Sequence, residues 1–167
     1  MVQSHRSLQS LVVQNIDFDS LLLLEFPFVV FARLLRSLDI GVKSLDDRIL
    51  SPGLFINTCS LASLTLDAFP LEQIQKALDA LPNPTLTRLR FPVNGADYST
   101  PDSSSFAQVE KIINLPSLKN LKRLELHRSD RSAWNGEAEM KREAEVIDQW
   151  IAVWKGRGLV IHYGRRL

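Results

Sequence analysis

The sequence predicts an α/β solenoid. Short parallel strands stack side by side on a concave face, and the chain returns through helices on a convex face. Three observations predict this class. A short pattern, Leu-x-x-Leu-x-apolar, recurs as Leu8-Leu11-Val13, Leu35-Leu38-Ile40, Leu61-Leu64-Leu66, Leu86-Leu89-Phe91 and Leu121-Leu124-Leu126. The first leucines are 27, 26, 25 and 35 residues apart, and a partial copy, GLVIHY, places Leu159 and Ile161 another 35 residues on. Segments between the copies carry apolar residues at helical spacing.

The last two apolar positions of each copy are two residues apart, which is strand periodicity. Strands are therefore expected near 10–14, 37–41, 63–67, 88–92, 123–127 and 159–163. A strand this short cannot bury its own leucines. Stacked neighbours bury them as one column, so the chain reads as about six irregular units.

Between Ser20 and Leu34 and between Leu45 and Ile56 the chain is expected to be irregularly helical. Pro27 bends the first of these segments, and Pro52-Gly53 breaks the second. Leu71–Leu81 reads as a helix with Leu71, Ile74, Leu78 and Leu81 on one stripe, closed by Pro82 and Pro84. Ser105–Leu115 begins with a capping box from Ser105 to Gln108, buries Phe106, Val109 and Ile113, and stops at Pro116. Gly136–Lys155 is the longest helix, and Gly156 and Gly158 terminate it. Trp150 and Trp154, one turn apart, are expected to pack it against the preceding unit. Asn94–Ser104 and His127–Gly136 read as loops leaving the same edge of the strands.

Composition bounds the remainder. At 167 residues the chain is expected to form one domain, spanning 1–167. Hydrophobic residues at 45% exclude a disordered tail. With 20 Lys and Arg against 19 Asp and Glu, no overall charge draws it to nucleic acid or an anionic membrane. A single cysteine, Cys59, excludes an internal disulfide framework and is expected to fill a buried turn. The most apolar run, Leu21–Leu35, contains Glu25, Pro27 and Arg33, so it does not read as a membrane span. No signal peptide is evident, and the cytoplasm or nucleus is the expected location.

The segments LRSLDI, LASLTL, LTRLRF and LKRLEL resemble the leucine-rich repeat family over about residues 8–163. The resemblance implies a short horseshoe-like solenoid. The asparagine of the family pattern stands in place only at Asn94. The lead-ins NTCSLASLTL and NLPSLKNLKRLEL resemble the divergent repeats behind the F-box of fungal and plant F-box-like proteins. That implies a non-enzymatic protein–protein interaction module, the substrate-recognition part of a ubiquitin-ligase receptor. No F-box is evident, and residues 1–7 are too few to hold one.

Stacking in register places outward residues in rows. One row is Ser10, Ser37, Ser63, Arg88, Arg123 and Val160; the next is Val12, Asp39, Thr65, Arg90, Glu125 and His162. The candidate partner-binding residues are Arg88, Arg90, Arg123, Glu125, His127 and His162. Guanidinium groups on a rigid sheet suit acidic or phosphorylated protein segments. Nucleic acid is not an expected partner, because no aromatic platform interleaves with the basic residues.

No catalytic residue, cofactor site or metal site is expected. The chain lacks GxGxxG, GxxxxGK[ST], CxxC and HxxxH spacings. Asp46-Asp47 and the glutamates Glu137, Glu139, Glu143 and Glu145 read as helix-start and solvated-face charges. Two alternatives stand beside the binding module. One is a structural remnant without a partner of its own. The other is a small α/β hydrolase-like enzyme, which requires His127 or His162 in a pocket with Ser, Asp or Cys59 within hydrogen-bond reach.

Overall fold

The computed structural model describes residues 8–16, 32–42, 55–67, 69–82, 84–93, 104–128, 137–156 and 158–164. Six strands, β1 (Ser10–Ile16), β2 (Ser37–Val42), β3 (Ser63–Asp67), β4 (Arg88–Val93), β5 (Arg123–Arg128) and β6 (Val160–Gly164), each fall on one copy of the leucine pattern. All neighbours pair in parallel, in the spatial order β1-β2-β3-β4-β5-β6. The register is carried by the second leucine: Leu11, Leu38, Leu64, Leu89, Leu124 and Ile161 are partners across the sheet.

Strand entry explains why that register is held. The Gln9 carbonyl accepts from the N–H groups of Arg36 and Ser37 at 2.8 and 3.0 Å. The Arg36 carbonyl does the same for Ala62 and Ser63, Ala62 for Thr87 and Arg88, and Thr87 for Lys122 and Arg123. Lys122 then accepts from Val160 at 2.9 Å. Thr85 and Thr87 hydroxyls donate to the carbonyls of Leu61 and Ala62, tying β4 to the start of β3. A slip of one residue would break these bonds and turn the leucines outward.

Among the described residues, three helices cover one side of the sheet: α1 (Leu71–Asp79), α2 (Ser104–Ile113) and α3 (Glu137–Lys155). They sit in the β3–β4, β4–β5 and β5–β6 connections. The buried stripe of α1 is Ile74, Ala77 and Leu78; that of α2 is Val109 and Ile112; that of α3 is Val146, Ile147, Trp150, Ile151 and Trp154. These meet the inward strand residues Leu38, Ile40, Leu64, Leu66, Leu89, Phe91, Leu124 and Leu126 in one core. Each fully buried leucine contributes roughly 2 kcal/mol of transfer free energy. Phe106 of α2 stacks on Trp154 at 5.3 Å between ring centroids and meets Trp150, tilted, at 5.2 Å. This aromatic cluster is what locks α3 to α2.

The horseshoe-like leucine-rich-repeat solenoid expected from the sequence is overturned. The described strands form one continuous parallel sheet with the three described helices on one side, an α/β core rather than a curved repeat array. The physical reason lies in the returns. A solenoid repeats one unit, each buried only against its neighbours. Here the helices are 9, 10 and 19 residues long, and they converge on a shared core. The leucine spacing specifies side-by-side strands, which both architectures share, and is silent on the cover. The F-box and ubiquitin-ligase reading fails with the repeat reading on which it rested.

The expected helical segments 20–34 and 45–56 fall largely outside the described residues, as do Asp46, Asp47 and the loops 94–103 and 129–136. Their described parts are a single 3-10 turn at Ala32–Leu34 and a turn beginning at Phe55. Among the described residues, no helix is long and apolar enough to cross a membrane. Cys59 lies in a turn but is exposed, not buried as expected. The turn is held by its neighbours: the Thr58 hydroxyl donates to the Phe55 carbonyl at 2.7 Å, and both residues are buried.

Candidate functional site

Parallel sheets commonly bury both faces, and their strands then read as continuous apolar runs. These strands alternate instead. In β4 the inward Leu89 and Phe91 are buried, Arg88 is exposed and Arg90 is half-buried. The face turned away from the helices therefore carries the polar residues, and the site lies at its β4–β6 end.

The first outward row pairs Ser10, Ser37, Ser63, Arg88, Arg123 and Val160. The second pairs Val12, Asp39, Thr65, Arg90, Glu125 and His162. Glu125 organises the cations. Arg88 Nη2 and Arg123 Nε lie 2.8 and 2.6 Å from its Oε1, and Arg88 also donates to Oε2 at 3.1 Å. Burial pushes the Glu125 carboxyl up. The hydrogen bond and charge of Arg88, with the charge and hydrogen bond of Arg123, outweigh that and hold it below the ordinary carboxylate range. Glu125 is thus an anion whose side chain is only 13% exposed, shared by two half-exposed guanidinium groups.

A depression of about 190 Å³ opens beside this cluster, lined by Arg90, Arg123, Glu125, Leu126, His127, His162 and Tyr163. The candidate residues Arg90, Arg123, Glu125, His127 and His162 come together in it. Arg88 stands at its side through Glu125. Arg157, Arg165 and Arg166 lie outside the described residues.

A third outward row was not read from the sequence. Gly41 pairs with Asp67, Pro92 with His127, and His127 with Gly164. Asp67 and His127 are both buried, and His127 Nε2 lies 2.9 Å from Asp67 Oδ1. Their strands are not neighbours; the two side chains meet over β4 at Pro92. Proline has no N–H to give the ladder. Accordingly the β3–β4 register ends at Thr65–Arg90, whereas the β4–β5 register continues to Val93–Arg128. On the other side Gln14 of β1 reaches over Gly41 of β2 and donates to Asp67 Oδ2 at 3.4 Å, and also to Asp39. A Cβ at Gly41 would collide with the Gln14 carboxamide. The signal for this row was the period-two step beyond Thr65 and Glu125: two low residues, Gly41 and Pro92, among polar ones.

Among the described residues, no group of three or more His, Cys, Asp or Glu could hold a metal ion. The fold and the site together define a parallel α/β domain with a cationic patch on the sheet face away from its helices. Comparisons with protein-family models, curated proteins and solved structures find no match to this chain.

Proposed function

We propose that this chain is an α/β binding domain that holds an anionic group on its sheet face, between Arg90, Arg123 and His162. The observation that carries the reading is convergence. Three strands converge on one depression, β4 and β5 with arginines and β6 with a histidine, on a preformed sheet that loses little freedom on binding. Two guanidinium groups, Arg88 and Arg123, share one carboxylate, Glu125, and Arg90 lines the same depression, which leaves formal positive charge for a ligand. Arginine forks suit carboxylate and phosphoryl oxygens. On this reading the chain acts by holding its ligand, with no bond made or broken. The acidic or phosphorylated protein segments expected from the sequence are one source of the group; a free phosphate or small acid is the other.

The test is calorimetric titration of the whole chain with inorganic phosphate, and with one peptide in phosphoserine, serine and glutamate forms. Binding of phosphate or the phosphopeptide, abolished in Arg90→Glu and Arg123→Glu variants that keep the wild-type circular dichroism, is the expected result. Binding of the phosphopeptide at least tenfold tighter than phosphate would assign the group to a protein segment; equal affinity would assign it to a small ligand. No binding of any of them overturns the reading.

A second reading, a small hydrolase-like enzyme, is favoured by one observation. His127 lines the depression and faces a buried carboxylate, Asp67, at 2.9 Å, the arrangement that orients a histidine as a general base. Turnover of p-nitrophenyl esters or phosphates that is lost in His127→Asn would support it. Rates equal to the buffer blank would remove it.

A further inference from the structure

The anion-binding reading gives the two edges of the sheet no role. Among the described strands, β1 and β6 each have a neighbour on one side only. An edge strand is a template for another chain, and proteins blunt it with charge or proline. Neither edge is blunted here. β1 reads SLVVQNI and β6 reads VIHYG, with no lysine, arginine, acid or proline in either. Val12 of β1 and Val160 of β6 are exposed. The inward column is open at the same two ends: Leu38, Leu64, Leu89 and Leu124 are buried, whereas Leu11 and Ile161 are only partly buried.

The two edges fit each other. Every junction in the sheet repeats one step: the residue before a strand accepts, at its carbonyl, the first N–H of the next strand, as Gln9 does from Ser37 and Lys122 from Val160. Leu159 stands in that place before β6, and Ser10 opens β1. Backbone alternation turns Ser10 and Val12 away from β2, and Ile161 away from β5. Charge favours the same joint. Strands β1–β3 carry Asp39 and Asp67 and no lysine or arginine. Strands β4–β6 carry Arg88, Arg90, Arg123 and Arg128 against Glu125 alone. We propose that a second copy of this chain extends the sheet, its β1 pairing in parallel with β6 of the first. Leu11 of the next copy then continues the column beyond Ile161, and the acidic end of one sheet adjoins the cationic end of the other. The joint is head-to-tail, so a joined pair keeps one edge of each kind, and assembly continues unless the rotation closes a ring. The joint and the anion site stand independently of each other.

Sedimentation velocity of the whole chain, from low micromolar to near-millimolar concentration, reads the joint. The average mass is expected to rise with concentration beyond that of a dimer. Val12→Pro removes an N–H turned to the open edge, a place where an edge strand tolerates proline. It should keep the wild-type circular dichroism and associate about tenfold more weakly, through the loss of one hydrogen bond with its acceptor left unpaired. Because it keeps its β6 edge, Val12→Pro in excess should also cap wild-type assemblies and shorten them. A wild type that stays monomeric throughout, a Val12→Pro variant that associates equally well, or assemblies that the variant does not shorten would overturn the proposal. If Val12→Pro fails to fold, hydrogen exchange of the wild type decides. Protection of the Val12 and Ile161 amides that rises with concentration supports the joint. Protection that does not change with concentration overturns it, whether the edges are open or covered by the same chain.

Discussion

Replacing Glu125 with glutamine should weaken the fold and strengthen the site at the same time. The carboxylate is nearly buried and is shared by Arg88 at 2.8 Å and Arg123 at 2.6 Å. Both guanidinium groups are about half exposed, so solvent screens the pairs, and their combined contribution to stability is about 1 kcal/mol. Its pH dependence has a definite sign. The folded carboxyl sits below its ordinary range, so the contribution is full above the unfolded pKa of about 4.3 and is lost as pH falls through the lower folded value. Urea unfolding should therefore place Glu125→Gln about 1 kcal/mol below wild type at pH 7, with the gap closing under acid. Binding runs the other way. Removing a negative charge from the lining of the depression, in partly exposed surroundings, is worth about 1 kcal/mol to an anion, or about fivefold in Kd. A variant that loses stability and also loses sulfate affinity would refute the reasoning, because it would make Glu125 part of the binding surface rather than a competitor for it.

Other outcomes follow from the packing. Leu64→Ala removes a fully buried side chain at the sheet's centre and should cost 2–5 kcal/mol in urea unfolding; a loss below 1 kcal/mol would contradict the core as described. Gly41→Ala drives a methyl into the Gln14 carboxamide and should cost about 1–2 kcal/mol. The loss should be non-additive with Gln14→Ala, since the two act on one contact; strict additivity in the double-mutant cycle would disprove that. Cys59 is exposed and is the chain's one cysteine, so a thiol reagent should label one equivalent per chain without denaturant; labelling that needs unfolding would contradict its placement.

The strands and their partners were legible because the leucine pattern marks both. Its last two positions give the inward face, and its spacing gives the register that pairs Leu38 with Leu64 and Leu89 with Leu124. The outward cluster of Arg88, Arg90, Arg123 and Glu125 follows from the same register. The cover was legible only in part. Helical spacing gave α1, α2 and α3, and Trp150 and Trp154 were expected to pack α3 against the preceding unit, where they meet Phe106 of α2; nothing in the spacing showed the helices converging on one core. The pattern was therefore extended to a repeat array that the chain does not form. The Asp67–His127 contact escaped for another reason. It joins strands that are not neighbours, and it depends on Pro92 ending the β3–β4 ladder and lying low between the two side chains. A reading by adjacent strands alone pairs His127 with Pro92 and stops there. Cys59 was expected to fill a buried turn, whereas Phe55 and Thr58 are the buried residues of that turn and Cys59 is exposed.

The central claim is that one end of one sheet face is an anion site. The most direct measurement is a ¹H–¹⁵N correlation titration of the whole chain with sulfate at constant ionic strength. The account predicts saturable shifts confined to 88–93, 123–128 and 160–164 and to the Arg90 and Arg123 side-chain Nε signals, with α1 unmoved. Shifts that never saturate, or that centre on α1 or on the β1–β2 end of the sheet, would contradict it.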